Sequence, residues 1–223
     1  MSNDISYISR SAAYSSGADT VQPIVPGSVS NGNMLLAFVE GLSNVDITSS
    51  GWEFIGRGGN NHFALFAKYY AGESGPYTFT QSSSTFMRAN VVAYSGNFPA
   101  SITDLVHVLS NTDYGTAGTA VVAASMVTTE TDLDIIWIAG SWLFTPTTYT
   151  PPTVPGSFSE DFEDGDTTSG FWLSFARYTW SSSGSTGDMI GYLSNSVSNN
   201  KHAFAIALNP PSGVVNGMMS IGF

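Results

Sequence analysis

Three apolar segments occur twice along the chain in the same order, and this repetition constrains the fold more than any single motif does. MLLAFVEG (34–41) returns as DIIWIAGS (134–141), FALFAKYYAGESG (63–75) as WLSFARYTWSSSG (172–184), and ANVVAYSGN (89–97) as AFAIALNPP (203–211). Self-similarity of this kind means that two halves share one structural plan. The halves span 21–97 and 120–209, and Phe66-Ala67-Lys68-Tyr69 lies over Phe175-Ala176-Arg177-Tyr178 with one base at the same place in each.

The repeated segments read as strands. Glycine, proline and Ser/Thr tracts punctuate short runs rich in Val, Ile, Phe, Tyr and Trp, and apolar residues at helical spacing are almost lacking. NMLLAFV, DIIWIAG, ANVVAY and AFAIAL are nearly unbroken apolar runs, as expected for strands covered on both faces. YTFTQ and HFALFAKYY tend to alternate, which leaves one face wet. No linker separates the halves, since residues 97–120 hold only the strand-like LVHVL and a short Gly/Thr stretch. Each half alone would be a small sheet with exposed edges. The expected fold is therefore all-β: one antiparallel, jelly-roll-like β-sandwich over 1–209 with an internal pseudo-repeat.

Charge narrows the partners. Six Lys and Arg against 17 Asp and Glu give a net charge of −11, too few bases to coat a phosphate backbone or an anionic membrane surface. Nucleic acid and membrane are thus not expected partners. With no cysteine, disulfides, thiolate metal sites and a cysteine nucleophile are excluded. The N-terminal MSNDISYISRSAAYSSG lacks a basic region followed by an apolar one, so the expectation is synthesis in a cytoplasm without a signal peptide.

Chemistry-bearing candidates are few. SFSEDFEDGDTTSG (157–170) gathers Glu160, Asp161, Glu163, Asp164 and Asp166. Counted from Asp161, an EF-hand register fails, because Gly165 and Trp172 fall where ligands belong. The favoured reading is an acidic, solvent-facing loop feeding the FWLSFARYT strand, with structural calcium at 160–166 as the alternative. Asp132 and Asp134 alternate before a strand as a glycosidase pair would, but Trp137 stands where the third carboxylate is needed. His62, His107 and His202 show no metal-ligand spacing and are expected at strand edges or on sheet surfaces. No serine sits in a nucleophile elbow and no Gly-rich phosphate cradle occurs. The protein is therefore expected to be no enzyme, with no catalytic residues and no bound cofactor.

Two surfaces remain. Trp52 and Trp137 read as core, whereas Trp142, Tyr149 and Trp180 lie at strand ends where aromatic faces could stack on a host glycan. After Asn209-Pro210-Pro211 an uncharged apolar arm, 210–223, carries Val214, Val215, Met218, Met219, Ile221 and Phe223. Such an arm either folds back on its own sandwich or docks on a neighbouring subunit.

Residues 5–209 carry turn and core motifs, IVPGSVSNGNMLLAFVEG, ITSSGWEFIGRGG, YAGESGPYTFTQ, VVAYSG and VTTETDLDIIWIAGS, that resemble phage-type sandwich domains. Asn33 departs from that family's frequent Asp, and Gly156-Ser157 replaces its second-half Gly-Trp/Met turn. The resemblance implies a concanavalin-type jelly roll and a virion structural role. The expected function is a capsid decoration protein that adheres to the major capsid protein and to itself, as a homotrimer located in the virion. A tail or fibre module binding a receptor or carbohydrate is the alternative.

Overall fold

The structure, a computed structural model, describes residues 4–41, 46–58, 62–114, 117–167, 170–197 and 201–209. The first half contains β1 (Ser6–Val21), β2 (Met34–Glu40), β3 (Ile47–Thr48), β4 (Glu53–Gly58), β5 (Phe63–Tyr69) and β6 (Phe79–Ser95). A helical turn, α1 (Ile102–Leu105), capped by Ser101, leads to the second half. There follow β7 (Val106–Tyr114), β8 (Gly118–Ala123), β9 (Val127–Thr128), β10 (Leu133–Trp142), β11 (Tyr149–Thr150), β12 (Ser159–Asp166), β13 (Phe171–Trp180), β14 (Gly184–Ser185), β15 (Met189–Val197) and β16 (Lys201–Leu208).

The chain is an all-β, antiparallel β-sandwich, and the repeat is visible in its topology. One sheet has the order β1-β6-β2-β5-β4 and the other β7-β16-β10-β13-β12, so corresponding strands occupy corresponding places. The two sheets face each other across a shared core that includes Leu36, Phe38, Leu65 and Val92 on one side and Ile136, Ile138, Phe175, Phe204 and Ile206 on the other. Their outer faces are covered too. The sheet of β11, β15 and β8 lies over Ile135, Trp137 and Ala139, and the same layer in the first half is made by β3 and by the far ends of β1 and β6. Burial on both faces explains the unbroken apolar runs of β2, β10 and β16.

The first half achieves with one bent ribbon what the second achieves with separate strands. β1 pairs with β6 along its length, with register shifts on either side of Ala18, and the adjacent Gly17 takes a φ of +76°. That bend lets Val21 and Phe79 fold over the outer face onto Phe66 and Trp52. The halves also repeat a fine detail: Ser11 donates to the Ile24 carbonyl, and Ser110 in the matching position of β7 donates to that of Ala124.

The sheet-forming segments of the two halves begin at Ser6 and Val106. Three expectations need correction. The alignment of β5 with β13 is one residue out: Ile136 lies opposite Arg177, but its counterpart Leu36 lies opposite Ala67, not Lys68. A one-residue slip reverses the faces of a strand, so Lys68 points to the outer layer and Arg177 into the seam between the halves. The acidic stretch is the strand β12 rather than a loop, paired with β13 as β4 pairs with β5. His202 is not a surface residue: it is fully buried, stacked on Phe63 at 5.6 Å and edge-on to Phe204 at 4.5 Å.

Candidate functional site

Among the described residues, a network of ion pairs and hydrogen bonds lies along the seam where the edge of β12 meets the edge of β1. β12 places Phe162 and Asp164 on its inner side and Glu163 on its outer side, and the irregularity between Glu160 and Phe162 turns Asp161 inward as well. The Phe162 ring lies 5.7 Å from Tyr7 and 5.0 Å from Phe175, which fixes this edge against the core.

Each described carboxylate then meets a partner. Asp164 Oδ2 accepts from Arg10 Nη1 at 2.7 Å and from Arg88 Nη2 at 2.8 Å. The Arg10 guanidinium lies 5.1 Å above Phe162 and that of Arg88 5.0 Å above Phe171. Asp161, its side chain 2% exposed, accepts from Arg177 Nε at 2.6 Å and from the Tyr94 hydroxyl at 2.9 Å. Arg177 also donates to the Ile5 carbonyl. Burial pushes the Asp161 carboxyl above its ordinary value, opposed by the Arg177 and Tyr94 bonds. Outside the seam, Glu163 accepts from the Tyr149 backbone N–H at 2.6 Å and Glu160 from Ser174 Oγ at 3.1 Å.

This arrangement is a clamp. Arg10, Arg88 and Tyr94 belong to the first half, Asp161, Asp164 and Arg177 to the second, and the buried charges are joined where their separation would leave uncompensated ions. Directly across from Arg88 in the β2–β6 pairing is Glu40, fully buried, with its carboxyl held well above the usual range by desolvation. Among the described residues no group of three or more His, Asp or Glu is placed to hold a metal ion.

The aromatic candidates do not form one site. Trp142 and Trp180 stand at opposite ends of the β10–β13 ladder, since Trp142 pairs with Phe171 and Leu133 with Trp180. Nine residue steps separate those ends, about 30 Å at strand rise. Tyr149 is buried, with its hydroxyl 2.7 Å from Ser141 Oγ and its ring edge-on to Trp137, so it offers no face to a sugar. Trp180 Nε1 donates to Thr128. Trp142 packs with Phe86 at 4.9 Å and with Phe144 at 6.2 Å, and Phe144 is exposed. Val214, Val215, Met218, Met219, Ile221 and Phe223 lie outside the described residues.

A groove of about 580 Å³ runs beside the first half, between Trp52, Lys68, Tyr69 and Ile102. Its base is already engaged: Lys68 Nζ lies 2.6 Å from Glu73 and over the rings of Tyr77 and Trp52, at 5.3 and 5.7 Å. The sequence reading missed Arg10, Arg88 and Tyr94. A signal was present in MRANVV, where one of only six bases interrupts an apolar strand and so must be matched by a buried acid.

The chain matches no family model, no curated protein and no solved structure.

Proposed function

We propose that the protein is a non-enzymatic structural component of a bacteriophage virion, a decoration protein that adheres to the capsid and to sister copies. One observation carries this reading: Asp161 and Asp164 of β12, the stretch with the strongest claim to chemistry, are spent on joining the two halves to each other. A sandwich clamped in this way is a rigid adhesive block, and the reading requires neither cofactor nor catalysis. The homotrimer and the apolar 210–223 arm as a contact element belong to the same proposal.

A second reading, a tail or fibre module that binds a glycan, draws support from the exposed Phe144 beside Trp142 and Phe86 at one end of the sandwich. Electron microscopy of particles lacking the protein separates the two. Missing surface density on the head supports decoration, and intact heads with failed adsorption support the second reading. Truncation after Asn209 tests the arm, and particle binding unchanged by it would remove the arm from the proposal.

A further inference from the structure

The outer faces of the two halves differ in a way that the shared fold does not require. In the first half the outer layer presents a row of threonines, Thr20, Thr80 and Thr48, paired across three strands. The matching row in the second half is Ala120, Tyr192 and Thr150. Tyr192 is 50% exposed, and next to it Ile190 pairs with Val122 on the same side. Val127 and Val154, 70% and 48% exposed, extend the patch: Val127 pairs with Ser185, and a Cβ on Gly187 would lie 3.2 Å from Val154 Cγ1. Ala120 and Tyr192 stand in place of two of the three threonines, and with the exposed Val127 and Val154 they mark an interaction surface.

Charge identifies the occupant. Glu130, three residues along the chain from Val127, and Asp188, beside Gly187, are exposed, and Asp188 is fixed by the Ser125 N–H at 2.9 Å. All six bases are committed elsewhere: Arg10 and Arg88 to Asp164, Arg177 to Asp161, Lys68 to Glu73, Arg57 to Asp46, and the buried Lys201 to the Gly118 carbonyl. These carboxylates, with no base among the patch residues, disfavour phosphate backbones and anionic bilayers. Two copies stacked face to face would oppose the same carboxylates. We infer that the outer face of β8 and β15, with Val127 and Val154, docks a protein surface that is apolar at its centre and rimmed by Lys or Arg. This inference rests on the adhesive reading and names the partner's chemistry.

The test uses the full chain with an amphipathic Lys/Leu peptide as the probe, followed by amide hydrogen exchange. Protection is expected over 120–127 and 187–193, weakening as salt rises. A Val127→Ser/Tyr192→Ser variant, which alters only exposed side chains, is expected to bind at least about tenfold more weakly, while Thr80→Ala binds as the wild type does. Equal protection of both outer faces, or undiminished binding by the double variant, overturns the inference. So does self-association of the wild type that the same substitutions abolish, because the occupant is then a second copy. On particles lacking the protein, full occupancy by the double variant would refute this face and leave adhesion standing. Failure of the wild type itself to bind there would refute the virion reading, and the peptide result would still decide the face.

Discussion

Trp137 and Gly191 form one packing unit: a Cβ on Gly191 would lie 2.5 Å from Trp137 Cη2 and Cζ2 and 3.0 Å from the Thr150 carbonyl oxygen. The matching positions in the first half hold Ala37 and Phe79, so the bulk sits on the inner strand in one half and on the outer strand in the other. Conserved volume at a layer contact, with its source exchanged, is what close packing demands of two sequences on one plan.

Gly191→Ala is therefore expected to destabilise the fold by about 1–3 kcal/mol, although alanine is the better strand former. Thermal melting reads this, at about 2–4 °C per kcal/mol for a chain of this size. Adding Trp137→Phe should recover part of the loss in a double-mutant cycle, and simple additivity would refute the pairing.

The clamp should matter far more than a surface ion pair. Asp161→Ala removes the carboxylate that pairs with Arg177 and accepts from the Tyr94 hydroxyl, and is expected to cost about 3–5 kcal/mol in urea unfolding. Asp46→Ala breaks the Arg57 pair, in which Asp46 is 75% exposed, and is expected to cost less than about 1 kcal/mol. Equal effects would show that the seam is no clamp.

Acid stability should be governed in part by Glu73. Burial raises its carboxyl, but the bonds from Lys68, the Ala71 N–H and Tyr77 prevail and lower it to about 2. A depressed folded-state value contributes stability above the ordinary 4.5, and that contribution is lost as pH falls from 4.5 towards 2. Unfolding free energy followed over this window should fall less steeply in Glu73→Gln than in the wild type.

Glu40 acts with the opposite sign. Desolvation holds its carboxyl well above 4.5, with the Arg88 charge opposing, so the folded chain keeps a proton that the unfolded chain releases. Its contribution is greatest below pH 4.5 and declines as pH rises towards the folded value. As pH rises above 4.5, the stability of Glu40→Gln should decline less than that of the wild type, measured by urea unfolding.

Calcium offers a further check on β12. Because Asp161 and Asp164 are held by arginines and Glu163 by a backbone N–H, neither chelator nor added calcium should move the melting temperature. A calcium-dependent rise would mean that these carboxylates are released to a cation.

Much of the fold was legible in the chain. The unbroken apolar runs of β2, β10 and β16 announced strands covered on both faces, and their repeated order announced a duplicated plan, because pattern and period are local properties of sequence. β12 escaped because five acids in seven positions look like a solvated loop when their partners are out of view. The part of β1 beyond Ser9 escaped because RSAAYSSGADT has neither apolar alternation nor β-branched weight, and forms a strand only by pairing with β6.

By itself, then, the sequence determined the all-β class, the two-fold plan and the scarcity of bases, since these follow from composition and spacing. Only the tertiary structure decided that Arg177 faces the seam while Lys68 faces outward, and that the carboxylates of Asp161 and Asp164 bind the two halves together. Register and the partners of buried charges depend on which residues, distant in the chain, come to lie side by side, and no local pattern carries that information.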